Sequence, residues 1–166
     1  NMALRLGPPF RAGVKAAFAI HNVHINVSHL LAFVPQWRSM KRSYTELAYH
    51  VVFATKHRQR LIPVRLDTVV RDILYKACLA VDAHVYEIGL ADDHAHLLLS
   101  FPVGIDIPRA VGRIKGRSSF YISRSIDGLE NFSWQTGYGI LTVSPSAIPR
   151  VARYVLTQRQ RHGSEL

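Results

Sequence analysis

The sequence predicts an α+β fold of the ferredoxin-like type, because strand-like and helix-like segments follow one another in the order β-α-β-β-α-β. The strand-like segments are rich in β-branched and aromatic residues, and in the helix-like segments apolar residues recur every three or four positions. A tight turn joins the second and third strands into a hairpin. This order gives one antiparallel sheet with two helices on one face, and here an additional C-terminal helix follows.

The first half of the predicted fold lies between residues 47 and 101. Residues 47–55 predict the first strand. Residues 85–90 and 94–101 predict the second and third strands, with the turn at residues 91–93. The first helix is predicted between the first two strands by apolar residues at helical spacing: Leu66, Val69, Val70, Ile73, Leu74, Ala77 and Val81.

The second half contains another helix, a strand and the final helix. Residues 132–144 predict the fourth strand, with a bend at the two glycines Gly137 and Gly139. The final helix is predicted to begin near Pro145, since proline is tolerated in a first helical turn. The second helix is predicted by the series Ile107, Ala110, Val111, Ile114, Ser118, Tyr121 and Ile122.

Two histidines, His94 and His96, open the third predicted strand. Alternate side chains of a strand point to the same face, and the Cα atoms of such residues lie about 7 Å apart. The two imidazoles are therefore close enough to bind one metal ion. The pattern His-x-His is common, so it indicates a metal site only in combination with other features.

Tyr154 and Gln158 are such a feature, because residues four positions apart share one face of a helix. A histidine pair together with a tyrosine and an amide suggests metal-assisted attack of the tyrosine on a phosphodiester. Free tyrosine has a pKa near 10, so only about one in a thousand is ionised at pH 7 and attack needs activation. Mixed nitrogen and oxygen ligands suit Mg²⁺ or Mn²⁺.

The charge of the chain favours a polyanionic partner. The 166 residues have a formal net charge of +10. On the second predicted helix, basic residues without any acid between them are candidates for contacts with DNA phosphates: Arg109, Arg113, Lys115 and Arg117. The single cysteine, Cys78, leaves no internal disulfide and fits a reducing cytoplasm, and no apolar run is long enough to predict a membrane span.

The first 39 residues lack a sustained helical or alternating pattern. We expect residues 1–39 to be a non-catalytic N-terminal extension, with Met40 as the natural start. Residues 40–166 are then expected to form the catalytic domain.

From about Tyr44 to His162, the sequence resembles the single-tyrosine HUH transposases of small bacterial insertion sequences, including their palindrome-associated relatives. A lone His-x-His is a weak signal, but several matching segments in the right order are specific. The matching segments are residues 50–56, 93–98, 115–119 and 134–139, followed by Tyr154 with Gln158.

The resemblance implies a ferredoxin-like domain, usually in an intertwined homodimer, that cuts and rejoins single-stranded DNA beside imperfect hairpins. By matching position, it implies that Tyr154 is the nucleophile, that His94, His96 and Gln158 bind a divalent metal, and that cleavage leaves a 5′-phosphotyrosine. A cytoplasmic, nucleoid-associated bacterial protein is expected. Ala95, Thr157 and the arginine-rich tail depart from the family pattern without removing a catalytic group, and they leave the choice of DNA target open.

Three alternatives remain at the level of the sequence. A ferredoxin-like module could bind nucleic acid without catalysis, although the third strand lacks the aromatic residues on which RNA-recognition domains stack bases. A domesticated relative could process chromosomal palindromes without mobilising an element. A metal-dependent hydrolase would form no covalent adduct with DNA. Phe132, Trp134 and Tyr138 could stack on unpaired bases, but the pattern favours core positions for these aromatic residues.

Overall fold

The computed structural model describes residues 45–162, so the predicted extension at residues 1–39 lies outside the described part of the chain. Four antiparallel strands form one sheet in the order β2-β3-β1-β4. This order and the two helices on one face confirm the predicted ferredoxin-like fold. The strands are β1 (Ala48–Ala54), β2 (His84–Leu90), β3 (His94–Ser100) and β4 (Gly139–Val143), and the helices are α1 (Asp67–Leu79), α2 (Ile107–Ser125), α3 (Ile148–Leu156) and α4 (Gln158–His162).

The core lies between the sheet and the two long helices. Alternate residues of β1 and β3 point to this side, among them Val51, Phe53, Leu97 and Leu99, all almost completely buried. They form one apolar cluster with Val70 and Leu74 of α1 and with Val111 and Ile114 of α2. Burial of each such side chain contributes about 1.5–3 kcal/mol. Because this gain requires an apolar residue at each core-facing position, the apolar residues of α1 and α2 recur at helical spacing in the sequence.

The fourth strand is shorter than predicted. Residues 132–138 are not part of the sheet except for one isolated bridge between Thr55 and Trp134. The backbone here makes two hydrogen bonds beside the end of β1, from the amide of Gln135 to the carbonyl of Ala54 and from the amide of Lys56 to the carbonyl of Ser133, both at 2.9 Å. It is also held from α2, since Nζ of Lys115 donates to the carbonyls of Thr136 and Gly137 at 2.9 and 2.8 Å. Phe132 and Trp134 are buried in the core, as the sequence favoured.

The last helix is interrupted, whereas the sequence predicted one helix that contains both Tyr154 and Gln158. The backbone of Thr157 (φ −93°, ψ 13°) ends α3, and α4 begins at Gln158. Oγ1 of Thr157 donates to the carbonyl of Arg153 at 3.0 Å, the kind of side-chain bond that competes with regular helical bonding. Within residues 45–162, no helix combines the length and apolar composition that crossing a bilayer requires.

Candidate active site

The histidines His94 and His96 lie on the sheet face opposite the core. Their neighbours Ala95 and Leu97 point the other way into the apolar cluster, as the alternation of a strand requires. The centroids of the two imidazole rings are 5.0 Å apart, and both side chains are buried. The structure therefore brings the predicted pair together on one face.

A third histidine, His50 of β1, joins them. Its Nε2 lies 2.8 Å from Nδ1 of His96, and the two rings stack with centroids 5.0 Å apart. Burial lowers the pKa of His50, which favours its neutral form, so one ring donates the shared hydrogen and the other accepts it. Since Nδ1 of His96 is used in this bond, Nε2 is the atom with which His96 could bind a metal.

His94 is held in the same way by a carboxylate. Its Nδ1 lies 2.6 Å from Oδ1 of Asp93, and Nε of Arg58 lies 3.1 Å from the other oxygen of Asp93. Burial raises the pKa of the Asp93 carboxyl, but the hydrogen bond and charge of His94 and the charge of Arg58 outweigh it, so the pKa is lowered. Both imidazoles are thus oriented through Nδ1, the arrangement typical of metal-binding histidines whose Nε2 coordinates the ion.

Tyr154, in the last turn of α3, faces this cluster. The centroid of its ring lies 6.0 Å from the ring centroids of both His50 and His96, with the rings nearly perpendicular. Its side chain is 39% exposed, whereas the histidines are buried. Tyr154 therefore lies between the histidine cluster and the solvent.

Gln158 lies at the start of α4 and is 1% exposed. Its Nε2 donates to the carbonyl of Tyr154 at 3.0 Å, which orients the amide so that Oε1 is the atom with which Gln158 could bind a metal. No three His, Cys, Asp or Glu residues within 45–162 are grouped so as to hold a metal ion. An amide oxygen is a suitable further ligand for a metal that two imidazoles could hold.

The sequence pattern of one protein family, described as "Transposase IS200 like", matches residues 43–158, a range that includes every residue of this cluster. The chain belongs to the IS200-like transposase family. It is accordingly a DNA transposase.

Named relatives of this transposase are similar over most of the chain. The transposase for insertion sequence element IS200 of Salmonella typhimurium is 28% identical over 111 residues, which cover 64% of this chain and 73% of the relative. The ISDra2 transposase TnpA of Deinococcus radiodurans is 26% identical over 121 residues, which cover 70% of this chain and 86% of the relative.

Solved structures share the fold. A crystal structure of a transposase-like protein from Deinococcus radiodurans R1 aligns with a TM-score of 0.55 at 25% identity and covers 72% of this chain and 97% of that one. The structure of a REP-associated tyrosine transposase bound to a REP hairpin aligns with a TM-score of 0.54 at 17% identity, covering 75% of this chain and 74% of that one. At 17% identity this second likeness concerns the fold alone.

The basic residues predicted to contact DNA occupy two different environments. Arg109, Arg113 and Arg117 are exposed on α2, which lies on the core side of the sheet, away from the histidines. Lys115 is buried and bonded to two backbone carbonyls, and burial lowers its pKa. The prediction that Lys115 contacts DNA is corrected by this position, because its ammonium group is already used inside the protein.

Two residues of the cluster, His50 and Asp93, are not among the site residues that the sequence predicts. His50 lies on the same sheet face as His96, and the two rings are bonded to each other. The alternation of β1 places His50 on the face opposite the core residues Val51 and Phe53, and this pattern can be seen in the sequence. For Asp93 the signal was its place directly before His94.

Proposed function

We propose that this transposase cleaves and rejoins single-stranded DNA through a 5′-phosphotyrosine at Tyr154, with Mg²⁺ or Mn²⁺ bound by His94, His96 and Gln158. One observation carries the proposal: the ring of Tyr154 lies 6.0 Å from that of His96 on the sheet face that holds the histidine pair. A nucleophile and two metal-binding imidazoles on one face are the parts that phosphodiester transfer needs.

A bound divalent ion would supply positive charge at the scissile phosphate and stabilise the charge of the transition state. Neighbouring residues of the chain orient the groups that would bind this ion. His50 and Asp93 hold the rings of His96 and His94 through Nδ1, so that both Nε2 atoms are presented without rotation of either ring. The bond from Gln158 to the carbonyl of Tyr154 links the third ligand to the nucleophile's own backbone.

The tyrosine oxygen would form a bond to phosphorus while the bond from phosphorus to the 3′ oxygen breaks. The phenol loses its proton, and the leaving 3′ oxygen gains one, so cleavage yields a 5′-phosphotyrosine and a free 3′-OH. A second 3′-OH then attacks the ester and releases the tyrosine, which makes rejoining independent of ATP. Simple hydrolysis of the DNA would form no phosphotyrosine ester, so it could not be followed by rejoining without ATP.

The proposed substrate is a single strand with hairpin-forming ends. Support comes from the solved neighbour that is described as bound to a REP hairpin. The sheet face that carries the histidines also has room for a DNA strand. On this face α3 packs on β2 and β3, whereas Leu141 of β4, which pairs with His50 of β1, is 66% exposed. Action on chromosomal DNA in a bacterial nucleoid and assembly as a homodimer belong to the same proposal, and light scattering tests the dimer.

The test is capture of the covalent intermediate. Wild-type protein, incubated with Mg²⁺ or Mn²⁺ and labelled single-stranded DNA that carries a hairpin, should form an adduct that persists in a denaturing gel. Tyr154→Phe removes one oxygen and keeps the ring, so DNA binding should remain and the adduct should vanish. Tyr49→Phe and Tyr121→Phe are matched controls, because Tyr49 packs against the core and Tyr121 lies on α2.

Loss of the adduct in either control, or its persistence in Tyr154→Phe, would contradict the assignment of the nucleophile. The proposal also assigns activity to residues 40–166. A chain without residues 1–39 should therefore form the same adduct at the same rate as the full chain.

A further inference from the structure

A basic loop, residues 56–60, follows β1 directly and lies next to the start of β3. It contains no acidic residue and three cations: Lys56, Arg58 and Arg60. Ala54, the last residue of β1, pairs with His94, and each residue of a strand advances the chain by about 3.3 Å. The loop therefore begins about 7 Å beyond the histidine, the length of about two stacked nucleotides at about 3.4 Å each.

The backbone of this basic loop is strained at two adjacent residues. His57 and Arg58 have φ angles of 57° and 56°, in the left-handed region that residues with a side chain disfavour. Within residues 45–162, the one other residue besides glycine with a positive φ is Asp82. Strained residues persist where the surrounding structure fixes them, and they are concentrated at sites that bind ligands. The strain therefore marks the loop as a candidate binding element.

The turn between β2 and β3 fixes the basic loop at both of its ends. The amide of Thr55 donates to the carbonyl of Asp93 at 2.8 Å, and the amide of Ile62 donates to the carbonyl of Asp92 at 2.9 Å. Oγ1 of Thr55, a fully buried residue, closes the loop by donating to the carbonyl of Gln59 at 2.6 Å. The loop is therefore preorganised, and a ligand can bind it without ordering a flexible segment.

Arg58 joins the basic loop to the histidine cluster. Its Nε lies 3.1 Å from one carboxylate oxygen of Asp93, and the other oxygen lies 2.6 Å from Nδ1 of His94. The side chain of Arg58 is 65% exposed, and no bond to another residue within 45–162 uses either of its Nη atoms. The rigid fork of a guanidinium can bind a carboxylate along one edge and a phosphate along another. A phosphate on these Nη atoms would lie next to the carboxylate that orients His94.

Lys56 and His57 line an open groove of about 390 Å³, a volume within the range of about 300–1,000 Å³ that is usual for ligand sites. The other wall of the groove is the segment before β4, which offers hydroxyl and amide groups: Ser133, Gln135 and Thr136. Lys56 and His57 are exposed, and within residues 45–162 no hydrogen bond or ion pair uses their side chains. The groove is therefore polar and has donors available for an anion.

We propose that residues 56–58 form a phosphate clamp, in which Lys56, His57 and the Nη atoms of Arg58 bind the one or two DNA phosphates next to the scissile phosphate. The clamp favours DNA over an acidic protein because it lies within about two nucleotides of the histidine pair and is bonded to the carboxylate that orients His94. The inference rests on the proposed function, since it takes the histidine pair as the place of cleavage.

A double-mutant cycle between protein and DNA tests the phosphate clamp. Single-stranded hairpin DNA is prepared with one neutral methylphosphonate in place of one phosphate, at each position near the cleavage site in turn. At a clamped position, the replacement should slow adduct formation by the wild type about tenfold at subsaturating DNA, the value of about one charged hydrogen bond. In Lys56→Ala the same replacement should have little further effect, because the phosphate charge has already lost its partner.

The inference is overturned if every methylphosphonate slows Lys56→Ala and the wild type by the same factor. If the wild type forms no adduct even with unmodified DNA, the proposed function fails instead. The clamp is then judged by DNA binding alone, which requires no chemistry.

DNA binding is measured by fluorescence anisotropy over a range of salt concentrations without added metal. Lys56→Ala and Arg58→Ala should each reduce the slope of log affinity against log salt concentration by about 0.7, the value for one phosphate contact on single-stranded DNA. Lys76→Ala removes the same charge from α1, where Lys76 pairs with Asp72, and should leave the slope unchanged. Equal slopes in the wild type, Lys56→Ala and Arg58→Ala would overturn the inference and leave the loop to a protein partner.

Two substitutions of His57 separate the strained backbone from the imidazole. His57→Gly and His57→Val both remove the ring, but glycine adopts a positive φ readily, whereas a β-branched residue does not. His57→Gly should therefore bind DNA about fivefold or more tightly than His57→Val, because only glycine keeps the loop in its left-handed form. Urea unfolding checks that both variants fold. Equal affinities of the two folded variants would show that the strained loop is not what holds the DNA.

Discussion

On the core side of the sheet, Leu97 and Phe53 are buried in an apolar cluster with the residues of α1 and α2. On the opposite side, His50 and His96 are buried nearly as deeply, but they are polar and bonded to each other. A buried polar group without a partner costs about 1–3 kcal/mol, so the second face is stable only because its rings are paired. Side chains buried to a similar degree therefore form an apolar core on one face and a hydrogen-bonded polar cluster on the other.

The largest expected difference between the faces concerns the neighbours Leu97 and His96. Leu97→Ala should lower the free energy of unfolding by about 2–5 kcal/mol, through lost burial and a cavity in the core. That is a large fraction of the about 5–15 kcal/mol typical of a domain. His96→Ala should abolish the DNA adduct and cost clearly less stability. Urea unfolding and the adduct assay measure the two effects. A loss of stability as large as that of Leu97→Ala would show that the histidine face is a structural core.

A smaller effect is expected for His50, whose ring contacts His96. His50→Leu fills the buried position with a side chain of moderate size but removes the partner of Nδ1 of His96. Affinity for Mn²⁺, measured by electron paramagnetic resonance of the free ion, should fall by about 10–100-fold while the fold persists. His84→Leu, at an exposed position of β2, is the matched control. Unchanged affinity in His50→Leu would remove His50 from the site.

The smallest expected effects distinguish the basic residues of α2. Arg113→Ala and Arg117→Ala should each reduce the slope of log affinity against log salt concentration by about 0.7, the value for one phosphate contact on single-stranded DNA. Lys115→Ala should leave the slope unchanged and instead lower stability by about 1–3 kcal/mol, because two buried carbonyls lose their donor. Slopes that are unchanged in both arginine variants would place the DNA path elsewhere.

The fold could be predicted because its signals are local. Apolar periodicity defines α1 and α2, and the turn at residues 91–93 defines the hairpin. The late start of β4 at Gly139 and the break at Thr157 escaped prediction because neither depends on periodicity. The segment before β4 is held by Lys115 of α2 and by backbone bonds to Ala54 and Lys56, and the break at Thr157 is accompanied by a side-chain bond of Thr157.

The site was predictable in part for the same reason. His94 and His96 are two positions apart, and Tyr154 and Gln158 are four apart, so each pair is visible in a short window. The bond between His50 and His96 spans 46 residues, and that between Arg159 and Asp67 spans 92. Only the register of β1 against β3 and the docking of the last helices create these contacts.

The most direct test of the account identifies the residue that carries DNA in the covalent adduct. The adduct is treated with nuclease to leave a short nucleotide, digested with trypsin and sequenced by mass spectrometry. Cleavage after Arg153 and Arg159 releases residues 154–159, which contain a single tyrosine. We predict a 5′-linked nucleotide on Tyr154. A nucleotide on any other residue, or wild-type protein that cleaves DNA without a linked nucleotide, would contradict it.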